Sequence, residues 1–231
     1  MSRTRWLAVE WGLSLKQLAN SLRTEQFTNK SAEGFVIDRV RRDSIEARYV
    51  QRVESTEVVV DPFGREASYD RVIFNEQPFL AATSYPGLQL SNGPRSLQSF
   101  YAALSRTTDF RFSAKQINVN VYAWLRACEK LLPGVLSVDA VQVGGISLRG
   151  SATARALVKA VSGGDARDAL EELLDGRQHV IEKVRLRVKK AKGSVVLSAN
   201  CSAAVTGIAP HDEQLLNEKF REALENILRA S

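Results

Sequence analysis

The chain has 231 residues, of which 44% are hydrophobic and 25% are charged, a composition typical of a globular protein that buries a sizeable core. No apolar run approaches the roughly 18 residues needed to cross a bilayer, so we expect no membrane partner. The formal net charge is +6 with an isoelectric point near 9.5, which favours an anionic partner: nucleic acid or an acidic protein.

Two isolated cysteines, Cys128 and Cys201, lie within apolar periodic segments, which is typical of small buried residues. They suffice neither for a disulfide framework nor for a zinc site, so we expect no metal, no cofactor and a reducing, cytoplasmic setting. The N-terminal apolar run is short and interrupted by Glu10, which argues against a signal peptide.

The N-terminal segment predicts a strand and then a helix. Residues 5–11 form a short apolar run, and Leu15, Leu18 and Leu22 stand at helical spacing behind a capping Ser14. The predicted helix covers residues 14–23, and the polar residues 24–34 predict a loop.

Short β-rich runs separated by turn residues follow, and they predict an antiparallel meander. The runs are residues 35–37, 45–53, 57–60, 69–74 and 79–83, and the turns are residues 43–44, 61–64 and 75–78. Five arginines of this region alternate with acids, so we expect a solvated, self-paired face rather than a binding patch. They are Arg39, Arg41, Arg42, Arg48 and Arg52.

The second half of the chain predicts alternating helices and strands. The clearest helix covers residues 121–132, capped by Asn120 and ended by Pro133, with Trp124 on its core stripe. Other helices are predicted from Pro94 to Leu104 and at residues 165–175 and 212–230, and strands at residues 109–120 and 136–148. Residues 151–161 fit either a helix capped by Ser151 or a buried strand, because periodicity does not decide over so short a run.

A long β-hairpin is predicted for residues 179–205. Apolar and basic residues alternate with period two from Lys183 to Lys189, a polar break with a glycine follows, and the apolar period resumes from Val195 to Val205. One face of the first strand is therefore apolar, and the other is a row of cations.

This row of cations is the candidate site. Its residues are Lys183, Arg185, Arg187, Lys189, Lys190 and Lys192, with Glu182 as the one nearby acid in sequence. Residues two apart in a strand lie about 6.6 Å apart on one face, so they can follow successive phosphates. The hairpin has no aromatic residue for base stacking, so we expect backbone contacts to DNA or RNA that are salt-sensitive and largely neutral to sequence. The hypothesis requires that acids of the same chain do not neutralise the row.

Two other interpretations of the row remain open. The acidic helix at residues 165–175 can lie against the cations and neutralise them. Alternatively, the charges can protect an exposed sheet edge from aggregation.

Motifs for catalysis are absent from the sequence. There is no G-x-x-x-x-G-K-[ST] loop, no G-x-G-x-x-G and no G-x-S-x-G, and His179 and His211 have no partner at ligand spacing. Residues 162–165, Ser-Gly-Gly-Asp, indicate a turn and a helix cap rather than a phosphate loop. Five carboxylates lie on or near predicted strands without a pattern that brings two of them to one metal ion: Asp61, Glu66, Asp70, Asp139 and Glu182.

These patterns predict an α+β fold, with antiparallel sheets, helices packed on one side, a long C-terminal hairpin and a terminal amphipathic helix. We expect one domain over residues 1–231, or two lobes with a soft break near residues 92–95: β-rich over 1–92 and mixed over 93–231. The leading hypothesis for function is a non-enzymatic module that binds nucleic-acid backbone through the basic strand. The alternatives are a protein–protein assembly subunit, with oligomer formation, and a metal-dependent nuclease whose site is scattered in the sequence.

Overall fold

A computed structural model describes residues 1–94, 96–149, 152–161, 164–189 and 191–229. Within this part of the chain there are eleven strands and five helices. The strands are β1 (Ser2–Trp11), β2 (Glu33–Val40), β3 (Ser44–Val60), β4 (Glu66–Ala82), β5 (Gly87–Ser91), β6 (Phe112–Gln116), β7 (Leu136–Ser147), β8 (Thr153–Lys159), β9 (Val180–Val188), β10 (Ser194–Ser198) and β11 (Ser202–Thr206). The helices are α1 (Leu15–Thr24), α2 (Gln98–Thr107), α3 (Val121–Leu131), α4 (Ala166–Leu174) and α5 (Pro210–Arg229).

The predicted α+β class and the terminal helix are confirmed, because the paired strands run antiparallel and α5 closes the described chain. Two compact units share the chain. The first comprises Met1–Ala8, Ser84–Pro86 and Lys115–Ser231, and the second comprises Val9–Thr83 and Gly87–Ala114. Residues 92–94, near the predicted break, belong to the second unit, and Arg95 lies outside the described residues.

The first unit is a sheet with helices on one face. Its strand order is β1-β11-β10-β9-β7-β8, and α3, α4 and α5 bury their apolar side chains in one core with Val184 and Leu186 of β9. The rings of Trp6 and Trp124 meet edge to face with centroids 5.6 Å apart. The Trp124 Nε1 donates a hydrogen bond of 3.0 Å to the carbonyl of Phe220, which confirms Trp124 as a core residue. The three helices pack on the face of this sheet opposite to Lys183, Arg185 and Arg187, whose side chains are exposed.

The second unit contains the meander β2-β3-β4-β5. Its core holds an aromatic cluster in which Phe79 lies 6.1 Å from Phe35 and 5.2 Å from Phe100 of α2, measured between ring centroids. Beyond this core, β3 and β4 continue as a two-stranded ribbon over residues 54–76. We call this ribbon the arm; all of its residues except the half-buried Asp61 are exposed.

Side-chain caps begin three helices where the sequence predicts them. Ser14 forms a capping box with Gln17, Asn120 accepts from the backbone N–H groups of Tyr122 and Ala123, and Asp165 accepts from the N–H of Arg167. The ambiguous segment 151–161 contains a strand, β8, because it pairs with β7; the proposed cap Ser151 lies outside the described residues.

The predicted C-terminal hairpin is a three-stranded meander. Its return strand ends at Ser198, and a turn around Cys201, whose φ is +52°, starts β11. The apolar period persists across this turn because β10 and β11 both turn Val195, Leu197, Ala203 and their neighbours to the same core. Periodicity alone therefore does not reveal the reversal of the chain.

Three other boundaries in the second unit differ from the predictions. Residues 75–78 are not a turn, because β4 runs through Pro78. The pairing of β4 with β5 begins at the next residue, Phe79, so one side of β4 is open at Pro78, which is a position that a strand proline tolerates. Helix α2 begins at Gln98, after Pro94, and β6 covers only part of the strand predicted at residues 109–120.

Candidate functional site

Strand β9 carries the predicted cations on the sheet face opposite to the helices of the first unit. Val184, Leu186 and Val188 are buried, while Lys183, Arg185 and Arg187 between them are exposed. This orientation follows from the period of two, because successive side chains of a strand point to opposite faces. The predicted sorting of β9 into an apolar and a basic face is confirmed.

The hydrogen-bond register places these cations in rows that cross six strands. One row contains Lys159, Ala140, Arg185, Val196, Ala204 and Arg3, each opposite the next on the neighbouring strand. The adjacent row contains Leu157, Gln142, Lys183, Ser198, Ser202 and Arg5. Basic residues contributed by β8, β9 and β1 are therefore separated by alanine, valine and serine side chains.

These two rows form an open depression of about 590 Å³, which we call the basic trough. Among its described lining residues there are four basic side chains, those of Arg3, Lys159, Lys183 and Arg185, and no carboxylate. Hydroxyl and amide groups of Ser198, Ser202, Gln142 and Asn200 line it as well. Such a surface offers hydrogen-bond donors to an anion without a competing negative charge in its wall.

Asp139 corrects the expectation that acids of the chain leave the row unneutralised. Its carboxylate forms an ion pair with the Arg187 guanidinium and lies 3.4 Å from the Arg185 Nε. Asp139 follows the buried Val138 in β7, so alternation along the strand places its side chain on the basic face, and a shift of the β7–β9 register between Val138 and Ala140 leaves Asp139 without a residue directly opposite in β9. One carboxylate thus serves two arginines, and β9 keeps a positive surplus.

The two lysines of the trough form no ion pair with any described residue. Lys159 and Lys183 are both exposed. Near Lys183, the carboxylate of Glu182 accepts hydrogen bonds from Arg155 at 2.7 Å and from Gln142 at 2.6 Å. The pKa of Glu182 lies below its usual value, chiefly because Arg155 donates a hydrogen bond to the carboxylate. The hydrogen bond from Gln142 and the charge of Lys183 lower this pKa as well. Glu182 therefore stays ionised, with Arg155 as its closest cation.

The remaining predicted site residues lie beyond the trough. Lys189 and Lys192 are exposed on either side of the turn that joins β9 to β10. Lys190 lies outside the described residues. The trough instead draws on two cations that the sequence interpretation missed, Arg3 and Lys159, and Arg5 stands opposite Ser202 at the end of the second row. The alternation of Arg3 and Arg5 with the buried Thr4 and Trp6 was the available signal for β1.

Neither of the two competing interpretations of the basic row holds. Helix α4 buries Ala166, Leu170 and Leu174 in the core shared with β9, so it lies against the apolar face of the sheet rather than the cations. Its N-cap Asp165 and Glu129 of α3 pair with Arg167 instead. Strand β9 lies between β10 and β7, so its charges do not protect an open edge.

The arginine-rich region of the second unit is self-paired in part, since Arg41, Arg48 and Arg52, three of its five arginines, form ion pairs with acids of the region. Arg41 contacts Glu46 at 3.1 Å, and Arg52 contacts Glu54 at 2.7 Å. Arg48 bridges Asp38 and Glu76, and its hydrogen bonds to these two carboxylates raise the guanidinium pKa. Arg39 and Arg42, the other two arginines of this region, are exposed.

Titratable groups elsewhere have ordinary structural surroundings. His179 contacts the carbonyl of Arg177 at 2.8 Å, and His211 is exposed beside Asp212. Burial raises the thiol pKa of Cys128 and of Cys201 to about 12, so both stay protonated at neutral pH. In the part of the chain that the structure describes, no three His, Cys, Asp or Glu side chains group as metal ligands. Ser162 and Gly163, of the possible phosphate loop, fall outside that part.

The fold and the trough together define the class of this protein: an α+β protein whose helix-free sheet face is open and basic. None of its helices, over the described residues, combines the length and apolar character required to cross a bilayer. The sequence matches no protein-family model and no curated protein.

Proposed function

We propose that this chain is a non-enzymatic module that binds the phosphate backbone of nucleic acid in the basic trough. The observation that carries the proposal is the set of four cations in a depression without a carboxylate in its described wall. Arginine and lysine neutralise phosphates and release the counterions around them, which is the main source of sequence-independent affinity.

The spacing of the cations suits an extended polyanion. Neighbouring strands lie about 4.8 Å apart, so Lys159 and Arg185 are about 10 Å apart and Arg185 and Arg3 about 14 Å apart across the sheet. The small side chains of Ala140, Ala204 and the serines between these cations let a backbone approach the sheet closely. Ser198, Ser202, Gln142 and Asn200 add donors for phosphate oxygens.

The ion pairs of Asp139 do not prevent this binding. The Arg185 and Arg187 side chains are 55% and 45% exposed, and an ion pair at such exposure contributes only about 0–1 kcal/mol. A phosphate can therefore replace Asp139 at little cost. Because the described lining has no aromatic ring, stacking contributes little, and we expect weak discrimination between sequences.

The test is a charge reversal of the two unpaired lysines, Lys159→Glu with Lys183→Glu. We expect affinity for a fluorescent oligonucleotide to fall about tenfold or more at low salt. The slope of log Kd against log salt should decrease in magnitude by about 2, since two phosphate contacts are lost. The measurement is fluorescence anisotropy with single-stranded and duplex DNA and with RNA.

The matched control is Lys16→Glu with Lys30→Glu, two exposed lysines of the second unit. This variant has the same net charge as the trough variant, so it should keep the wild-type salt slope if the trough is the site. The proposal would be rejected if the two variants lost affinity for the oligonucleotides equally. It would also be rejected if the wild-type protein bound none of the probes at low salt. Cleavage of the probes that stops with EDTA would replace it by the nuclease alternative.

A further inference from the structure

The arm is the most exposed apolar feature of the described chain. The ladder between β3 and β4 continues without interruption from Ser44 and Ala82 to Val60 and Glu66. Its outer part has no covering element, and Val58, Tyr69 and Phe63 are 59%, 61% and 90% exposed. An isolated two-stranded ribbon is marginally stable in water, and exposed apolar patches mark interaction surfaces. These features are typical of an interaction surface.

The register divides the arm into two different faces. Val59, Tyr69 and Ile73 share one face with Glu57 and Arg71, whose charges pair at 2.6 Å. We call the other one the valine face; it carries Val58, Val60 and Val72 together with Glu66 and Asp70. Asp70 accepts a hydrogen bond from Thr56, but neither Glu66 nor Asp70 forms an ion pair with any described residue. The valine face thus combines apolar side chains with unpaired negative charge.

Charge identifies the chemistry of the partner. Residues 54–76 hold six carboxylates and two arginines, a net charge of −4, while the whole chain has +6. A negative ribbon repels nucleic acid, so the arm requires a basic protein surface with some apolar area. The basic trough has both, because Leu157, which is 57% exposed, and Val196 lie among its cations.

The valine face and the basic trough match in length as well as in charge. The seven residues from Glu54 to Val60 span six intervals, which is about 20 Å at 3.3 Å per interval. The trough crosses six strands, which at about 4.8 Å per interval is about 24 Å. The valine face and the trough are therefore of similar length and opposite charge, and both are exposed in the isolated chain.

We propose that the valine face of the arm docks in the basic trough of a second copy of this chain. Glu66 and Asp70 lie against Lys159 and Lys183, and the valines cover Leu157 and Val196. A contact between two different surfaces forms a reciprocal dimer, a ring or a filament, according to the rotation between copies. One ribbon face is smaller than the roughly 800 Å² per partner of a stable interface, so we expect reversible, micromolar association.

The test uses two complementary charge reversals in the full chain. The arm variant is Glu66→Lys with Asp70→Lys, and the trough variant is Lys159→Glu with Lys183→Glu. Sedimentation velocity should show concentration-dependent association for the wild type and a monomer for each variant alone, because like charges then face each other. An equimolar mixture should associate again, since each arm then meets a trough of opposite charge.

A pair of neutral substitutions tests which face docks. Val58→Ser with Val72→Ser should weaken association about tenfold or more without changing the charge, because it removes apolar area from the docking face. Val59→Ser with Ile73→Ser, on the opposite face of the same ribbon, is the control and should associate like the wild type. If Val59→Ser with Ile73→Ser weakened association and Val58→Ser with Val72→Ser did not, the assignment of the valine face as the docking face would be overturned.

Three results would overturn the proposal of a second copy. They are a wild type that sediments as a monomer at every concentration, single variants that associate like the wild type, and a mixture that remains monomeric.

The outcome is independent of nucleic-acid binding, because the arm variant keeps the trough unchanged. An arm variant that binds oligonucleotide but does not associate supports both proposals. Restored association in the mixture without oligonucleotide binding by the wild type supports self-association and rejects the proposed function. If both proposals hold, oligonucleotide should dissociate the wild-type assembly, since the two ligands share one trough.

Discussion

Strand β9 and the arm are both antiparallel β-structure with β-branched and charged residues, yet they have opposite surroundings. The apolar face of β9 lies under three helices, and its Val184 and Leu186 are fully buried. The arm has the same kinds of residues, but Val58 and Val60 are more than half exposed. The comparison shows that a local pattern specifies a strand, whereas the elements packed against it decide whether that strand is a core or an interaction surface.

Hydrogen exchange should show the largest difference between the two regions. Amides of β9 should exchange only through global unfolding, which costs about 5–15 kcal/mol for a typical domain. Amides of the arm should exchange through local opening at a fraction of that free energy. Mass spectrometry of the Glu66→Lys, Asp70→Lys variant measures the arm without a docked second copy. Equal protection of the two regions would mean that the arm is supported as well as β9.

Truncation of one apolar side chain in each region should show the next largest difference. Leu186→Ala should lower the free energy of unfolding by about 2–5 kcal/mol, because it leaves a cavity in the core. Val58→Ala should change it by no more than about 0.5 kcal/mol, because that side chain is exposed. Urea denaturation followed by circular dichroism gives both free energies of unfolding. Similar losses of stability in the two variants would contradict the expected difference between β9 and the arm.

Removal of the Asp139 charge should strengthen the salt dependence of binding to the basic face. Asp139→Asn releases Arg185 and Arg187 from their shared carboxylate, so the salt slope of oligonucleotide binding should increase in magnitude by about 1–2. Glu25→Gln, which removes one exposed negative charge from the second unit, is the matched control and should leave the slope unchanged. An unchanged slope in Asp139→Asn would show that these two arginines do not reach the ligand.

The smallest effect is expected for the charge of Asp165, the N-cap of helix α4, which packs in the same core as β9. Burial tends to raise the pKa of Asp165, but its hydrogen bonds from Arg167 hold that pKa below the usual value. The charge therefore stabilises the fold above the unfolded-state pKa of about 3.9, and this stabilisation is lost as pH falls through the folded-state pKa.

Asp165→Asn keeps a good helix cap and removes only the charge, so it should cost less than about 1 kcal/mol at pH 7 and nothing at low pH. Asp165→Ala also removes the cap and should cost about 1 kcal/mol more at every pH. Urea denaturation at several pH values measures both variants. A pH-independent loss in Asp165→Asn would contradict the role of the charge.

Much of the fold could be predicted because its signals are local. The caps Ser14, Asn120 and Asp165 each act within three residues of the helix that they begin. The basic strand β9 could be predicted for the same reason, since its alternation lies within nine residues. The reversal at Cys201 could not, because both strands beside it continue the same apolar period.

The candidate site could be predicted only in part. Lys183 and Arg185 are visible as a row in the sequence, but Lys159 and Arg3 join them through strand pairing across distant parts of the chain. Asp139 lies on the basic face by the alternation of β7, but its contacts with Arg185 and Arg187 depend on the pairing of β7 with β9, which no local pattern specifies.

The sequence by itself determined the α+β class, the positions of the helices and the separation of β9 into an apolar and a basic side, because these depend on side-chain periods and caps within single elements. The tertiary structure alone decided that the cations gather across six strands, that Asp139 partly neutralises them and that the arm extends without cover. The physical reason is that pairing register and packing are relations between segments far apart in the chain, and no local pattern records which segment becomes the neighbour of another.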